Sequence, residues 1–182
     1  MTDRTNASSI IKNEAFIAVG SNIEPETNVL QALRILAEYV TITDISNFYH
    51  SAAMERPEQN DFINGVIKIL TTYQPRELKF DVLRKIESQL GRIRTADKHA
   101  ARTIDLDLIL YDKVIMNEDS LVLPDPSICI YPFVAIPLLE LEPDMILPGT
   151  RNPLSGIKAA MKIDIIQTQR ELTTLLRTTF LK

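Results

Sequence analysis

The stretch that decides the fold is ARTIDLDLILYD, residues 101–112. Apolar residues alternate with other residues along it, which is the two-residue period of a β-strand. The alternation predicts one core-facing side formed by Ile104, Leu106, Leu108 and Leu110. Asp105 and Asp107 lie on the other side, roughly 7 Å apart at a rise of about 3.3 Å per residue. Two like charges at that spacing indicate either a bound cation or an ordinary solvated face.

The composition is that of a soluble globular chain with one domain. Its 182 residues are enough for a substantial core, and 45% hydrophobic and 24% charged residues are ordinary values. The net charge of −4 does not favour nucleic acid as a partner, so any anion site must come from a local basic cluster. A single cysteine, Cys129, excludes an intramolecular disulfide and is expected to be buried.

The N-terminal residues are polar, and we expect residues 1–13 to be a disordered lead-in to a single domain over residues 14–182. They contain no apolar core of a signal peptide. The most apolar stretch, residues 128–141, is interrupted by Pro132 and Pro137 and is too short to span a bilayer. We therefore expect a cytoplasmic protein with no membrane partner.

The predicted elements follow the order β-α-β-β-α-β. Strands are predicted over residues 14–22, 41–51, 62–73 and 103–111, and helices begin at Pro25 and Pro75. This order predicts a ferredoxin-like α/β fold, an antiparallel sheet with both helices on one face. The added elements are a hairpin over 114–123, a short helix over 131–141 and a C-terminal helix. The inward side of that last helix is expected to hold Ile165, Ile166, Gln169, Leu172, Leu175, Leu176 and Thr179.

A basic loop, RIRTADKHAAR at residues 92–102, precedes the carboxylate strand. Its guanidinium groups can bind phosphate oxygens bidentately. Mg²⁺ takes one or two protein carboxylates and completes its shell with water and phosphate oxygens. The loop and the aspartates together predict a site for phosphoryl transfer. Neither GxxxxGK[ST] nor GxGxxG occurs, so side chains would have to hold a nucleotide.

From about Ala15 to Pro148 the chain resembles the 6-hydroxymethyl-7,8-dihydropterin pyrophosphokinase family. The strongest motif is Arg102-Thr103-Ile104-Asp105-Leu106-Asp107-Leu108, which matches the pattern R-[TS]-hydrophobic-D-L-D-hydrophobic. The other matching motifs are Gly20-Ser21-Asn22, Phe48-Tyr49, Asp61-Phe62-Ile63-Asn64, Glu87 with Gly91-Arg92-Ile93-Arg94, and residues 137–143.

The resemblance implies transfer of diphosphate from ATP to the pterin hydroxymethyl group in folate biosynthesis, giving AMP, and we expect the protein to be a monomer. It implies that Asp105 and Asp107 hold two Mg²⁺ ions and act in catalysis with Arg92 and Arg102. The implied ATP contacts are Glu87, Arg92, Arg94, Lys98, His99, Arg102 and Leu108. The implied pterin contacts are Ser51, Ala52, Met54, Phe62, Asn64 and Phe133. Among these, Asn64 would hydrogen-bond the pterin and the two phenylalanines would enclose its rings.

Several positions differ from the family pattern. Ala100-Ala101 replaces Gly-Pro, His99 replaces an aromatic residue, and Ser51-Ala52 replaces Thr-Pro. Asp125 and Tyr131 stand where His and Arg are common, which removes positive charge from the expected triphosphate site. These differences leave two alternatives open: a transferase with another alcohol acceptor, and a pterin- or nucleotide-binding module without turnover.

Overall fold

The computed structural model describes residues 12–52, 59–93, 100–118, 120–157, 159–160 and 166–181. The strands are β1 (Asn13–Ser21), β2 (Thr41–Ile45), β3 (Tyr49–Ser51), β4 (Phe62–Thr71), β5 (Asp105–Tyr111), β6 (Met116–Glu118), β7 (Leu121–Leu123) and β8 (Gln167–Thr168). The helices are α1 (Pro25–Leu36), α2 (Pro75–Glu77), α3 (Arg84–Gln89), α4 (Ser127–Ile130), α5 (Pro132–Leu141) and α6 (Arg170–Phe180). A π-helical segment, Leu78–Leu83, joins α2 to α3, and a 3₁₀ turn spans Leu154–Gly156.

The main sheet is antiparallel and runs in the order β5-β1-β4-β3-β8, with β2 also paired to β4. Taken together, β2 and β3 are one interrupted strand beside β4, so the core has the strand order of a ferredoxin-like sheet. The predicted fold class is therefore confirmed, as is the hairpin, which is formed by β6 and β7.

Each face of the sheet packs against its own layer of helices. α1 and the α2–α3 helix cover one face, where Ile17, Leu33 and Leu83 are fully buried in the main core. Burial of each such side chain stabilises the fold by roughly 1.5–3 kcal/mol. α5 covers the other face, where Val134 packs with Phe16 of β1. The faces are thus distinct, and the two carboxylates of β5 lie on the α5 side.

The predicted apolar face of β5 is wrong at its last position. Leu108 pairs with Ile17 but Leu110 pairs with Phe16, so the β5 segment holds one residue more than its partner. Such a β-bulge reverses which side chains face each layer. Leu110 therefore packs on the α5 side. Tyr111 instead occupies the position in the main core that was expected for Leu110.

Smaller predictions are corrected at Cys129 and at both ends of the chain. Cys129 is exposed, not buried. The C-terminal helix begins at Arg170, because Gln167–Thr168 pair with β3 as a strand, and Leu175 on that helix is exposed. Ile165 and nearly all of the expected lead-in lie outside the described residues, and β1 already begins at Asn13. Within the part of the chain that is described, no helix is long and apolar enough to cross a membrane.

Candidate active site

One row of cross-strand neighbours runs through the site. Asp105 pairs with Gly20, Gly20 with Asn64, and Asn64 with Tyr49. Directly paired residues point to the same face of a sheet. Asp105 and Asn64 are therefore two strand spacings apart on one face, about 10 Å at about 4.8 Å per spacing. The row brings the residues expected to bind metal next to those expected to bind the pterin.

Gly20 keeps the space between these two residues open. A Cβ atom at this position would lie 2.7 Å from Asn64 Oδ1 and 3.9 Å from the Asp105 Cβ. The first distance is shorter than any ordinary Cβ contact, so a side chain here would displace the Asn64 amide. The glycine of the Gly20-Ser21-Asn22 motif is thus required by the close approach of Asn64, a role that the motif alone does not predict.

Two arginines hold the carboxylate of Asp105. Arg92 donates to Oδ1 and Arg102 donates to Oδ2. Arg92 also pairs with Glu87, which is 2% exposed and whose Oε1 accepts the Leu106 N–H at 2.9 Å. Burial alone would raise the pKa of Asp105, but Arg92 and Arg102 outweigh burial and hold the pKa below its ordinary value. Asp105 is therefore ionised and oriented before any ligand binds.

Asp107 has a different environment, with 49% of its side chain exposed. Lys79 Nζ lies 3.4 Å from its Oδ1. Partial burial of the carboxyl, followed by the negative charge of Asp105, raises the pKa of Asp107 to about 6 despite Lys79. The negative charge of Asp125 also raises the pKa of Asp107. Negative potential thus accumulates at the accessible end of the site.

The two carboxylates fit a Mg²⁺ site. Each oxygen of Asp105 is engaged by one arginine and retains a second lone pair for a cation, while Asp107 is accessible. In the described residues no cluster of three or more His, Cys, Asp or Glu could hold a metal. A cation at this pair would therefore take its remaining ligands from water and phosphate oxygens, which is the usual pattern for Mg²⁺.

Ser21 and Asn22 fasten the residues that precede β5. Ser21 Oγ donates to the Thr103 carbonyl at 2.6 Å, and Asn22 Oδ1 accepts the Arg102 N–H at 2.7 Å. The Asn22 amide also donates to the Asn60 carbonyl at 3.3 Å, just before β4. The end of β1 therefore fixes Arg102 relative to both neighbouring strands. The motif is visible in the sequence, but this anchoring role depends on contacts with residues 38 and 80 positions away.

We give the name acceptor pocket to four of the expected pterin contacts, Ser51, Phe62, Asn64 and Phe133. Asn64 Nδ2 donates to Ser51 Oγ at 2.8 Å, and both residues are buried. Phe62 pairs with Ser51 and shares its face. With its Nδ2 engaged, Asn64 presents Oδ1 as an acceptor over Gly20. Ala52, also expected at this site, is exposed at the end of β3.

α5 brings Phe133 to the same region. The Phe133 ring stacks on Tyr131 with centroids 5.0 Å apart, and it packs against Tyr49. Glu140 ties the other end of α5 to the sheet, because it accepts hydrogen bonds from the Tyr49 hydroxyl and, at 2.7 Å, from the Asn47 N–H. Burial and then Glu140 raise the pKa of Tyr49 to about 12, so its hydroxyl stays protonated and donates. Phe133 is thereby held beside the row that contains Asn64.

The remaining expected site residues have different placements. The Leu108 side chain is fully buried in the main core, so a nucleotide could reach only its backbone. Glu87 is buried behind Arg92 and can act on ATP only through that arginine. Lys79 was not predicted as a site residue, because nothing in the local sequence of the π-helical segment marks it. Outside the described residues lie Met54, Arg94, Lys98 and His99.

The known relatives of this chain include proteins of similar length and proteins several times longer. The family model described as 7,8-dihydro-6-hydroxymethylpterin-pyrophosphokinase (HPPK) matches residues 16–143. The 2-amino-4-hydroxy-6-hydroxymethyldihydropteridine pyrophosphokinase of Aquifex aeolicus is 34% identical over 144 residues, 79% of this chain and 89% of that protein. The folic acid synthesis protein fol1 of Pneumocystis carinii is 36% identical over 143 residues, but these cover 77% of this chain and 19% of that larger protein.

Solved structures with the same fold are also larger than this chain. An HPPK-DHPS in complex with substrates has a TM-score of 0.60 at 11% identity, covering 93% of this chain and 44% of that one. Wild-type Plasmodium falciparum HPPK-DHPS with pterin and p-hydroxybenzoate has a TM-score of 0.61 at 12% identity, covering 92% and 42%. At such identities these likenesses show the fold alone. The family model and the Aquifex aeolicus relative go further: this chain belongs to the 7,8-dihydro-6-hydroxymethylpterin-pyrophosphokinase family.

Proposed function

We propose that this protein transfers diphosphate from ATP to 6-hydroxymethyl-7,8-dihydropterin, releasing AMP, as a step of folate biosynthesis. The observation that carries the proposal is the row Asp105–Gly20–Asn64, in which Asp105 and Asn64 lie about 10 Å apart on one face of the sheet. This separation would suit a phosphate-binding end beside a pocket for a flat heterocycle. A hydroxymethyl group attached to a pterin in that pocket could reach a polyphosphate bound at the other end.

The polyphosphate end is the name we give to Arg92, Arg102, Asp105 and Asp107. Here Asp105 and Asp107 would hold Mg²⁺, for which we propose two ions, with ATP as co-substrate. The metal, when bound, neutralises phosphate charge and helps to polarise the transferred group. Arg102 is held in place by Asp105 and by Asn22, so its guanidinium is oriented before the nucleotide arrives. Positioning of this kind supplies most of the catalysis in phosphoryl transfer.

The acceptor pocket would bind the pterin by stacking and by one fixed polar group. Phe62 and Phe133 offer apolar surface to the rings, and Asn64 Oδ1 would accept a hydrogen bond from a pterin N–H. The hydroxymethyl oxygen then forms a bond to the β-phosphorus of ATP. The bond from that phosphorus to the oxygen bridging the α-phosphorus breaks, AMP leaves with that oxygen, and the hydroxyl proton is released.

A second candidate is a diverged homologue that binds a pterin but uses ATP poorly or transfers to another alcohol. The observation that favours it is Asp125, whose negative charge adds to that of Asp105 at Asp107. Tyr131 also favours this candidate, because an aromatic ring that stacks on Phe133 stands where the family commonly has a cation. Both features lower the attraction of the site for a polyphosphate.

Measurement of AMP release from MgATP, with and without the pterin, decides between these candidates. We expect AMP to form only when both substrates are present, and its release to fall by a factor on the order of 10²–10³ in Asp107→Asn. Lys113→Met, on the exposed turn after β5, is the control for a lost surface charge. Pterin binding without AMP release would support a binding module. AMP release with another alcohol, and none with the pterin, would identify a different acceptor.

A further inference from the structure

The segment beyond the family match, residues 144–182, supplies β8 and α6 to the sheet edge beside the acceptor pocket. It binds both backbone polar groups of Phe48. The Phe48 N–H donates to Thr173 Oγ1 at 2.9 Å, and the Phe48 carbonyl accepts the Gln169 N–H at 2.7 Å. Thr173 is 3% exposed, and its hydroxyl donates in turn to the Gln169 carbonyl at 2.7 Å. The Thr173 hydroxyl is thus both acceptor and donor in a buried group of hydrogen bonds among Phe48, Gln169 and Thr173, which we call the clamp.

Phe48 connects this clamp to both strands of the acceptor pocket. Its ring is fully buried against Gly65, where a Cβ atom would lie 2.8 Å from the ring carbons. Gly65 follows Asn64 in β4, and Phe48 directly precedes β3, which carries Ser51. A shift of Phe48 would therefore move β3 relative to β4 and change the 2.8 Å hydrogen bond from Asn64 to Ser51.

β8 reinforces the same link. Thr168 pairs with Tyr49, and Gln167 pairs with His50. The Gln169 side chain also hydrogen-bonds the His50 ring, and Ile166 packs with Tyr49 in a small cluster that Phe133 also contacts. The C-terminal segment therefore supports both the polar side of the acceptor pocket, through Phe48, and its aromatic side, through the cluster that Phe133 contacts.

We infer that Thr173 is a positioning residue for the acceptor pocket. Through Phe48 it fixes β3 against β4 and so orients the Asn64 amide toward the heterocycle. The inference rests on the proposed function, since it assigns to that pocket a structural support outside the region shared with the family. Because Thr173 has no role at the Asp105–Asp107 end, it affects acceptor binding and leaves nucleotide binding unchanged.

Thr173→Val tests this inference, because valine keeps the shape of threonine and removes the hydroxyl. Thr173→Ser keeps the hydroxyl, and Thr178→Val removes an exposed hydroxyl that bonds within the same helix to the Thr174 carbonyl at 2.9 Å. Affinities for the dihydropterin, with a non-hydrolysable MgATP analogue present, and for the analogue itself are measured by calorimetry. We expect Thr173→Val to weaken pterin binding at least about fivefold, with unchanged analogue binding, while Thr173→Ser and Thr178→Val resemble wild type.

Wild-type pterin affinity in folded Thr173→Val, or equal weakening of both ligands, would overturn the inference while leaving the proposed function intact. Absence of pterin binding by the wild-type protein would overturn the proposed function and the inference with it. If Thr173→Val does not fold, hydrogen exchange of the wild-type protein, with and without pterin, tests the inference. Since coupling is reciprocal, bound pterin should slow exchange at Phe48 and residues 169–173. Slowed exchange confined to residues 62–66 overturns the inference.

Discussion

The polyphosphate end of the site takes its side chains from one stretch of chain, residues 92–107, whereas the acceptor pocket draws on three separate stretches, with Ser51, with Phe62 and Asn64, and with Phe133. The first is organised by ion pairs around Asp105, and the second by a neutral hydrogen bond and aromatic packing. Charge attraction orients the first end, where the end of β1 also anchors the Arg102 backbone through Asn22. The second end depends on how three parts of the fold pack together, so different measurements should detect damage to the two ends.

Asp105→Asn should produce the largest effect. Loss of the charge removes a metal ligand and leaves Arg92 and Arg102 without their shared counter-ion. We expect kcat/KM for AMP release to fall by a factor on the order of 10²–10³, as when one preorganised electrostatic group is removed from an active site. The free energy of unfolding should fall by up to about 3 kcal/mol, measured by urea denaturation, since a mostly buried pair is broken.

Asp107→Asn is the matched comparison, with a similar loss of activity and no loss of stability at pH 7. The pKa of Asp107 is raised in the folded state, so its contribution to stability is greatest below about pH 4 and declines as the pH rises through about 6. Asparagine removes a charge that the folded state disfavours at pH 7. A stability loss equal to that of Asp105→Asn would contradict the difference between the two carboxylates.

Asn64→Ala should damage the acceptor pocket alone. It leaves a polar edge of the pterin buried without a partner, which costs about 1–3 kcal/mol, or roughly 5- to 150-fold in pterin affinity. Phe133→Ala should lose stacking energy on the order of 1–3 kcal/mol. Calorimetry is expected to show unchanged binding of the MgATP analogue in both variants. Weakened nucleotide binding by Asn64→Ala would mean that the two ends are not separable.

Gly20→Ala tests the row that joins the two ends. The added Cβ atom would displace Asn64 Oδ1, since the available distance is 2.7 Å. Overpacking of this kind costs about 1–3 kcal/mol, and we expect pterin affinity to fall about tenfold with a smaller change in analogue affinity. Gly156→Ala, where an added Cβ has no neighbour within 4 Å, is the control. Unaltered pterin affinity in Gly20→Ala would place the acceptor elsewhere.

The affinity for Mg²⁺ should depend on pH through Asp107. Metal binding requires the ionised carboxylate, and with a pKa of about 6 this form is lost as the pH falls through 6. Affinity should therefore fall about tenfold between pH 7 and pH 5. Asp105, whose pKa is held below its ordinary value, stays ionised in this range. Titration of Mn²⁺ as a spectroscopic probe checks this, and Asp107→Asn should abolish the dependence between those pH values.

Lys79→Met should have the smallest effect of these substitutions, and it should strengthen ligand binding where the others weaken it. The ammonium group competes with a cation for Asp107, and methionine keeps the length of the side chain without the charge. A pair of this exposure contributes about 0.2–1 kcal/mol, so the affinity for Mg²⁺ without nucleotide should rise roughly 1.4- to 5-fold. Lys85→Met, on an exposed position of α3, is the matched control. Weaker Mg²⁺ binding in Lys79→Met would show that Lys79 assists the metal.

The sequence by itself determined the parts of this protein that depend on local pattern. The alternation around Asp105 and Asp107 predicted a strand with both carboxylates on one face, because the side-chain period of a strand is two residues. Pro25 and Pro75 marked the first residues of helices, since proline is tolerated at that position. The neighbouring arginines predict a phosphate-binding site, and this stays a prediction, whereas the pairing of Arg92 and Arg102 with Asp105 was not foreseen.

Only the tertiary structure decided which side chains meet across the sheet. Register depends on partners far apart in the chain, and Gly20 pairs with both Asn64 and Asp105. The bulge that moved Leu110 to the other face arises from pairing with β1, and the break between β2 and β3 occurs where Phe48 packs over Gly65. Lys79 reaches Asp107, and Thr173 reaches Phe48, by contacts between separate elements that no local periodicity encodes.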